Sequence, residues 1–234
     1  MDRLTGVAEL LDGPLDDDLA LDANLRDLAR INRLTGGTRL SRRAVEALGE
    51  VSGVPVRSIL DVGTGGADIP LSLLADARRA GSDLEITASD SRSEVLAAAR
   101  RARPIVDTAK GLRLEIADGR GLPYPDASFD VAHASLVLHH LEPDAVMAFL
   151  RELRRVARIG VVVNDLVRGR LAWLGSLVLV RTLARSPYTR HDGPLSVRRA
   201  YSRLELENLL AAAGLEPVRA VVGFAGHRVA IAAR

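Results

Sequence analysis

The stretch that most constrains this chain is Ile59-Leu60-Asp61-Val62-Gly63-Thr64-Gly65-Gly66. An apolar run from Val56 to Val62 ends in glycines, and a helical pattern follows from Ile69 to Ala80. Glycines are needed where a strand turns into a helix, because the backbone bends sharply and must come close to a ligand. In open parallel sheets, ligands bind outside the carboxyl ends of the strands, where the strand order reverses. The octapeptide therefore predicts both a fold class and the position of a site.

The rest of the chain agrees with that fold class. Strands are expected at Leu84 to Ser89, Leu112 to Ile116, Phe129 to Ala134 and Ile159 to Asn164, with helices at Ser91 to Ala102 and Pro143 to Val156. Strands alternating with helices imply a parallel sheet covered on both faces. Pro217 to Val222 and His227 to Ala232 are joined only by Gly223-Phe224-Ala225-Gly226, which forces an antiparallel pair. The expectation is an α/β, Rossmann-like, seven-stranded, mostly parallel sheet with an antiparallel C-terminal hairpin.

Two segments lie outside this alternation. Residues 1–52 read as a helical N-terminal arm leading into a domain over 53–234. Leu19, Leu21, Leu25, Leu28 and Ile31 recur at roughly helical spacing, Gly36-Gly37 breaks the helix, and Thr38 or Ser41 is the expected cap of the next one. An insert, Leu166 to Gly214, carries an apolar helix from Leu171 to Ala184, an expected loop from Ser186 to Val197 with Pro187 and Pro194, and a helix from Ser202 to Ala213. Residues 166–200 are expected to form a lid. Leu171, Trp173, Leu174, Leu177, Val178 and Val180 make its first helix apolar enough to pack on the core or to wall an acceptor pocket.

Composition excludes several chemistries. The chain has no cysteine, which removes disulfides, thiol catalysis and Cys-ligated zinc, and no metal site is expected. The sequence pI is about 9.5 at a net charge of only +2, because Lys110 is the only lysine and the other basic residues are arginines. That usage points to a GC-rich bacterial genome. No dense basic run appears and aromatics are 3%, so no nucleic-acid partner is expected. The apolar run Leu171 to Val180 stops at Arg181, well short of a membrane span, and Met1-Asp2-Arg3-Leu4 does not open a signal peptide. A cytoplasmic location is the expectation.

A dinucleotide fingerprint would place its third glycine at position 68, where this chain has Asp68. A carboxylate there repels a pyrophosphate seated on the helix N-terminus. A P-loop is excluded because Lys110 is followed by Gly111. S-adenosylmethionine, which carries a sulfonium, an ammonium and one carboxylate but no phosphate, tolerates these acidic neighbours. Asp90, after the second strand, suits the two ribose hydroxyls. Asp118-Gly119, after the third, suits the adenine amino group.

Together these segments resemble the class I S-adenosylmethionine-dependent methyltransferases, type 11, in the quinone-biosynthesis-like subgroup. Ile59 to Gly66 is similar to their first motif, Asp90 to the acid of the second, and Asp118 to Leu122 to the adenine-side motif. Ser128-Phe129-Asp130-Val131 and Leu138-His139-His140-Leu141 match the runs before and after strand four. The loop before strand five, Arg155 to Gly160, is shorter than the family's. The resemblance implies Asp61, Gly63, Thr64 and Gly65 on the methionine side, Asp90 and Ser91 at the ribose, Asp118 and Gly119 at the adenine, and Ser135 near the methionine backbone or the methyl. The expected acceptor is a small, lipophilic or aromatic molecule methylated on oxygen or carbon. Histidine suits the removal of a hydroxyl proton. The candidates are His139 and His191, the latter beside Asp192, while His133, inside a strand, reads as structural and His140 as packing. The alternatives are a non-catalytic binding module and, further off, a nicotinamide-dependent reductase.

Overall fold

In the computed structural model, which describes residues 1–234, the strands are β1 (Ser58–Val62), β2 (Glu85–Asp90), β3 (Leu112–Ile116), β4 (Phe129–Ser135), β5 (Ala157–Leu166), β6 (Pro217–Val222) and β7 (Arg228–Ala233). They form one sheet in the order β3-β2-β1-β4-β5-β7-β6. The first five are parallel, and β7 runs antiparallel to both β5 and β6. The expected seven-stranded α/β sheet with its C-terminal hairpin is what forms. Strand order reverses between β1 and β4, so the crevice predicted by the glycine turn lies at their carboxyl ends.

Eight α-helices accompany the sheet: α1 (Asp18–Thr35), α2 (Gly37–Ser52), α3 (Asp68–Arg79), α4 (Ser93–Ala102), α5 (Pro143–Val156), α6 (Arg170–Leu183), α7 (Pro187–Arg199) and α8 (Arg203–Ala212). Alternation along the strands sorts the core into two layers. Leu60, Ala132 and Val161 pack with Leu150 and Leu153 of α5 and Leu206 of α8. Ile59, Val131 and Val162 pack with Ala44 and Leu48 of α2 and Leu73 of α3. No helix is long and apolar enough to cross a membrane.

Local chemistry sets the helix ends. Asp17 accepts from the Ala20 amide and caps α1, while Gly36 ends it at φ +80°. A capping box between Ser202 and Glu205 starts α8.

Three expectations need correction. Residues 1–17 are not α-helical. They form an extended strap with a 3-10 turn at Leu10–Asp12, because Gly6, Gly13 and Pro14 interrupt any helix before the Asp17 cap. Neither Thr38 nor Ser41 caps α2, which begins directly after Gly36; Ser41 lies buried inside the helix. The loop expected at Ser186 to Val197 is helix α7. Pro187 sits in the first turn, where its missing N–H costs nothing. Asp27 of α1 accepts the Arg185 and Ser186 amides at 2.7 and 2.8 Å, and burial of Thr189, Asp192, Ser196 and Val197 overrides the weak local propensity.

A buried polar chain joins the sheet to α1 and α2. Arg228 of β7 donates to Asn164 Oδ1 at 2.7 Å, Asn32 Oδ1 at 2.6 Å and Ser135 Oγ at 2.7 Å. Asn164 donates to Ser41 Oγ at 2.7 Å, so the Ser41 hydroxyl is free to donate to His133 Nε2 at 2.8 Å. His133 then carries its proton on Nδ1 and donates it to Asp61 Oδ1 at 2.5 Å. Arg228 is fully buried with no carboxylate in direct contact, and burial pulls its guanidinium down to about 10.

Candidate active site

A cavity of about 610 Å³ opens at the carboxyl ends of β1 to β4. One end is lined by Val62, Gly63, Ser91, Asp118 and Gly119, and the other by His140, Glu142 and Arg199 under the strap residues Gly6 to Ala8.

At the first end, the Gly63 and Thr64 amides both donate to Ser89 O at 2.9 Å, which holds the bend against β2. Gly63 has φ +73°, and a Cβ there would lie 2.5 Å from Val137 Cγ2. A Cβ on Gly119 would overlap Phe149 and lie 2.8 Å from Val62 Cγ1. Both glycines keep the cradle open. Thr64 Oγ1 is buried with no hydrogen-bond partner. Asp90 accepts from the Gly65 and Arg92 amides, each at 3.1 Å, and keeps lone pairs to spare. Burial raises its pKa against those two amides. An open glycine cradle, an orphaned hydroxyl and a carboxylate with free acceptor capacity fit a nucleoside bearing hydroxyl and amino donors. Asp118 is half exposed and paired with Arg120 at 2.8 Å, which holds its carboxyl below the usual range.

Two residues expected on the methionine side point elsewhere. The Asp61 carboxylate is turned onto His133, and Ser135 Oγ accepts from Arg228; neither lines the cavity. Thr64, Gly65 and Asp90 are not among its lining residues either, although Thr64 and Asp90 directly adjoin Gly63 and Ser91, which are.

At the second end, Asp165, at the end of β5, accepts from the Leu138 and His139 amides and from His139 Nδ1 at 2.6 Å. That one carboxylate pins the turn after β4. Burial opposes its ionisation, but His139 keeps its pKa low. His139 is buried, with its ring 4.3 Å from that of His140. His140, expected only to pack, is the imidazole on the cavity wall. Its Nδ1 is 2.8 Å from Asp12 Oδ1. Arg199 donates to Asp12 at 2.6 Å and to His140 O at 2.8 Å. Burial works against an ionised Asp12, yet His140 and Arg199 hold its carboxyl well below the ordinary range.

Behind them lies Glu9, whose Oε1 has no hydrogen-bond partner. Burial pushes its carboxyl up to about 7, against the pull of His140 and Arg199. Glu9, His139 and His140 bring three potential metal ligands within 4.8 Å of one another. Arg199, 3.7 Å from Glu9 Oε1, already supplies a cation there.

His191 stands on α7 with its side chain about half exposed (54%), its Nδ1 2.7 Å from Asp192, and does not line the cavity. Asp192 is also engaged by the Leu10 and Leu11 amides, so it anchors the strap. Nor does α6 wall the cavity. It packs against α7 and leaves Leu171, Leu174 and Val178 exposed. The cover expected from the apolar helix comes instead from residues 6–12 and Arg199. No sequence signal marked the strap, because contacts from the far end of the chain hold it. Arg3 donates to Arg199 O, Leu141 O and Glu142, and lies over the Tyr201 ring at 4.2 Å.

Residues 60–163 match the family model described as a methyltransferase domain. The chain is similar to ubiquinone/menaquinone biosynthesis C-methyltransferase UbiE of Rickettsia akari (strain Hartford), 35% identical over 100 residues, and of Rickettsia bellii (strain OSU 85-389), 34% over 101. Each alignment covers 43% of this chain and 40% of the relative, so less than half of either protein is shared. A SAM-dependent methyltransferase from Aquifex aeolicus has the same fold, with TM-score 0.59 and 20% identity over 91% of this chain and 97% of that one. Human N-acetylserotonin methyltransferase, solved in complex with SAM, gives 0.68 at 14% identity over 96% and 60%. At such identities the solved structures speak for the fold alone. The strand order, the glycine turn and the match over residues 60–163 agree: that stretch is similar to methyltransferase domains, among them those of the UbiE relatives, and the fold is the one shared with the solved methyltransferases.

Proposed function

We propose that this protein moves a methyl group from S-adenosylmethionine to a small, lipophilic or aromatic acceptor, on oxygen or carbon. The observation that carries the reading is the single cavity whose one end is the glycine cradle and whose other end holds an imidazole backed by carboxylates. The bound cofactor supplies an already activated methyl on a sulfonium, so the protein's task is alignment and exclusion of water. Gly63, Thr64, Gly65, Asp90, Ser91, Asp118 and Gly119 are the residues to hold it. Asp61 and Ser135 support the cradle from behind.

At the acceptor end, Val7, Leu11, Val137 and Leu141 offer apolar walls, which favours a ring over a sugar or amino acid. The relatives' printed names, ubiquinone/menaquinone biosynthesis C-methyltransferase, favour a quinone-precursor-like ring methylated on carbon. A hydroxyl acceptor loses its proton to His140, with Asp12 fixing the imidazole and His139 buttressing it. His191 is the second candidate base, reached only if α7 moves. Residues 53–234 form the catalytic domain, and the strap with α7 forms its cover.

The test is label transfer from methyl-labelled S-adenosylmethionine to a panel of phenols and quinols, alongside calorimetry with the cofactor alone. Labelled ring products with cofactor binding are expected. Binding without transfer to any ring would favour the non-catalytic module, and no binding would overturn the reading.

A further inference from the structure

A second basin, of about 770 Å³, opens between α1, α2 and α3 and shares no lining residue with the methyltransferase cavity. Its walls are arginines. Arg26, Arg30 and Arg33 succeed one another on one face of α1. Arg39 and Arg42 face them from the start of α2, and Arg79 of α3 and Arg103 beyond α4 complete the wall. Only Asp68 and Asp76 line it as carboxylates. Seven guanidiniums face Asp68 and Asp76, and Asp27 and Glu46 pair with Arg30 and Arg42 from outside the lining, which leaves three excess positive charges in a chain whose formal total is +2.

The chain's own acids neutralise this basin only in part. Arg30 leans on Asp27 at 3.5 Å, Arg42 pairs with Glu46 at 3.2 Å, and Arg42 and Arg79 share Asp76. Arg26, Arg33, Arg39 and Arg103 have no carboxylate within 4.0 Å. Arg103 is braced by Gly66 O at 2.9 Å. Convergent guanidiniums repel one another unless a counter-charge lies between them. Their planar forks match phosphate oxygens two at a time. The shape selects the ligand's size: a bowl of this volume suits a small molecule, whereas an extended nucleic acid needs a basic stripe along a face. Thr38 and Ser72 add hydroxyls to the lining.

We propose that this basin binds a small polyanion with clustered phosphates, a diphosphate or triphosphate group, as a ligand separate from the methyl donor and acceptor. The probe is inorganic tripolyphosphate, titrated into the full chain by calorimetry at low and at physiological ionic strength. One tripolyphosphate per chain is expected, weaker at the higher salt. An Arg33→Ala/Arg39→Ala double variant should lose about tenfold or more in affinity, as expected for lost charge-assisted hydrogen bonds. Both side chains are exposed, so its thermal midpoint should stay at the wild-type value. Absence of binding overturns the proposal, as does equal affinity in the double variant. Tighter binding of a duplex oligonucleotide or of anionic phospholipid vesicles than of tripolyphosphate also overturns it, by assigning the patch to a macromolecular surface.

Discussion

Replacing Arg228 by methionine removes the guanidinium at the centre of the buried polar chain while keeping a long side chain in its place. Asn164 Oδ1 and Asn32 Oδ1 then lose their donor inside the protein, since both residues are almost fully buried. Ser135 loses less, because it is only partly buried and water can replace the lost donor. Two unsatisfied amide oxygens cost about 2–6 kcal/mol together. Part of that is offset, because a guanidinium no longer has to be held away from water. The net loss expected is about 3 kcal/mol, a large share of the roughly 5–15 kcal/mol that keeps a domain folded. Urea denaturation followed by far-UV circular dichroism measures it as a lower midpoint with an unchanged slope. A loss below about 1 kcal/mol, or a gain, would refute the reasoning by showing that the desolvation cost of Arg228 cancels its hydrogen bonds.

Three further outcomes follow from the same geometry. Gly119→Ala should weaken cofactor binding by about tenfold or more and cost roughly 1–3 kcal/mol of stability, because the added methyl overlaps Phe149 and crowds Val62; calorimetry and thermal melts read the two effects. Asp90→Ala should weaken S-adenosylhomocysteine binding about tenfold, the loss of a charge-assisted pair worth roughly 1.5–3 kcal/mol, and unchanged affinity would take Asp90 out of the site. Glu205 is lowered from 4.5 to about 2, first by its hydrogen bond to Arg168. Its stabilisation is therefore complete above about pH 4.5 and disappears as pH falls toward 2. The melting difference between wild type and Glu205→Gln should shrink over that range and be constant from pH 6 to 8.

The glycine turn and the strand–helix alternation were legible because both are local: a few consecutive residues carry the bend, and side-chain period carries the element type. What escaped was tertiary. Asp61 reads as a cofactor contact until register places it opposite His133 on β4. His140 looks like packing until Asp12, 128 positions earlier, meets its ring. The strap carries no periodic signal, and its anchors on Asp192 and Arg199 lie about 180 residues or more away in sequence. Helix α7 contains Gly193 and Pro194, which argue for a loop locally, and only its buried face and Asp27 reverse that. The arginine basin draws on positions 26 to 103, which no scan for consecutive basic residues can find.

A crystal structure of the chain with S-adenosylhomocysteine tests the central claim most directly. The account predicts the nucleoside in the 610 Å³ cavity, its ribose on Asp90, its adenine beside Asp118 and Gly119, and its sulfur toward His140. The ligand lodged anywhere else, or a ribose that leaves Asp90 untouched, would contradict it.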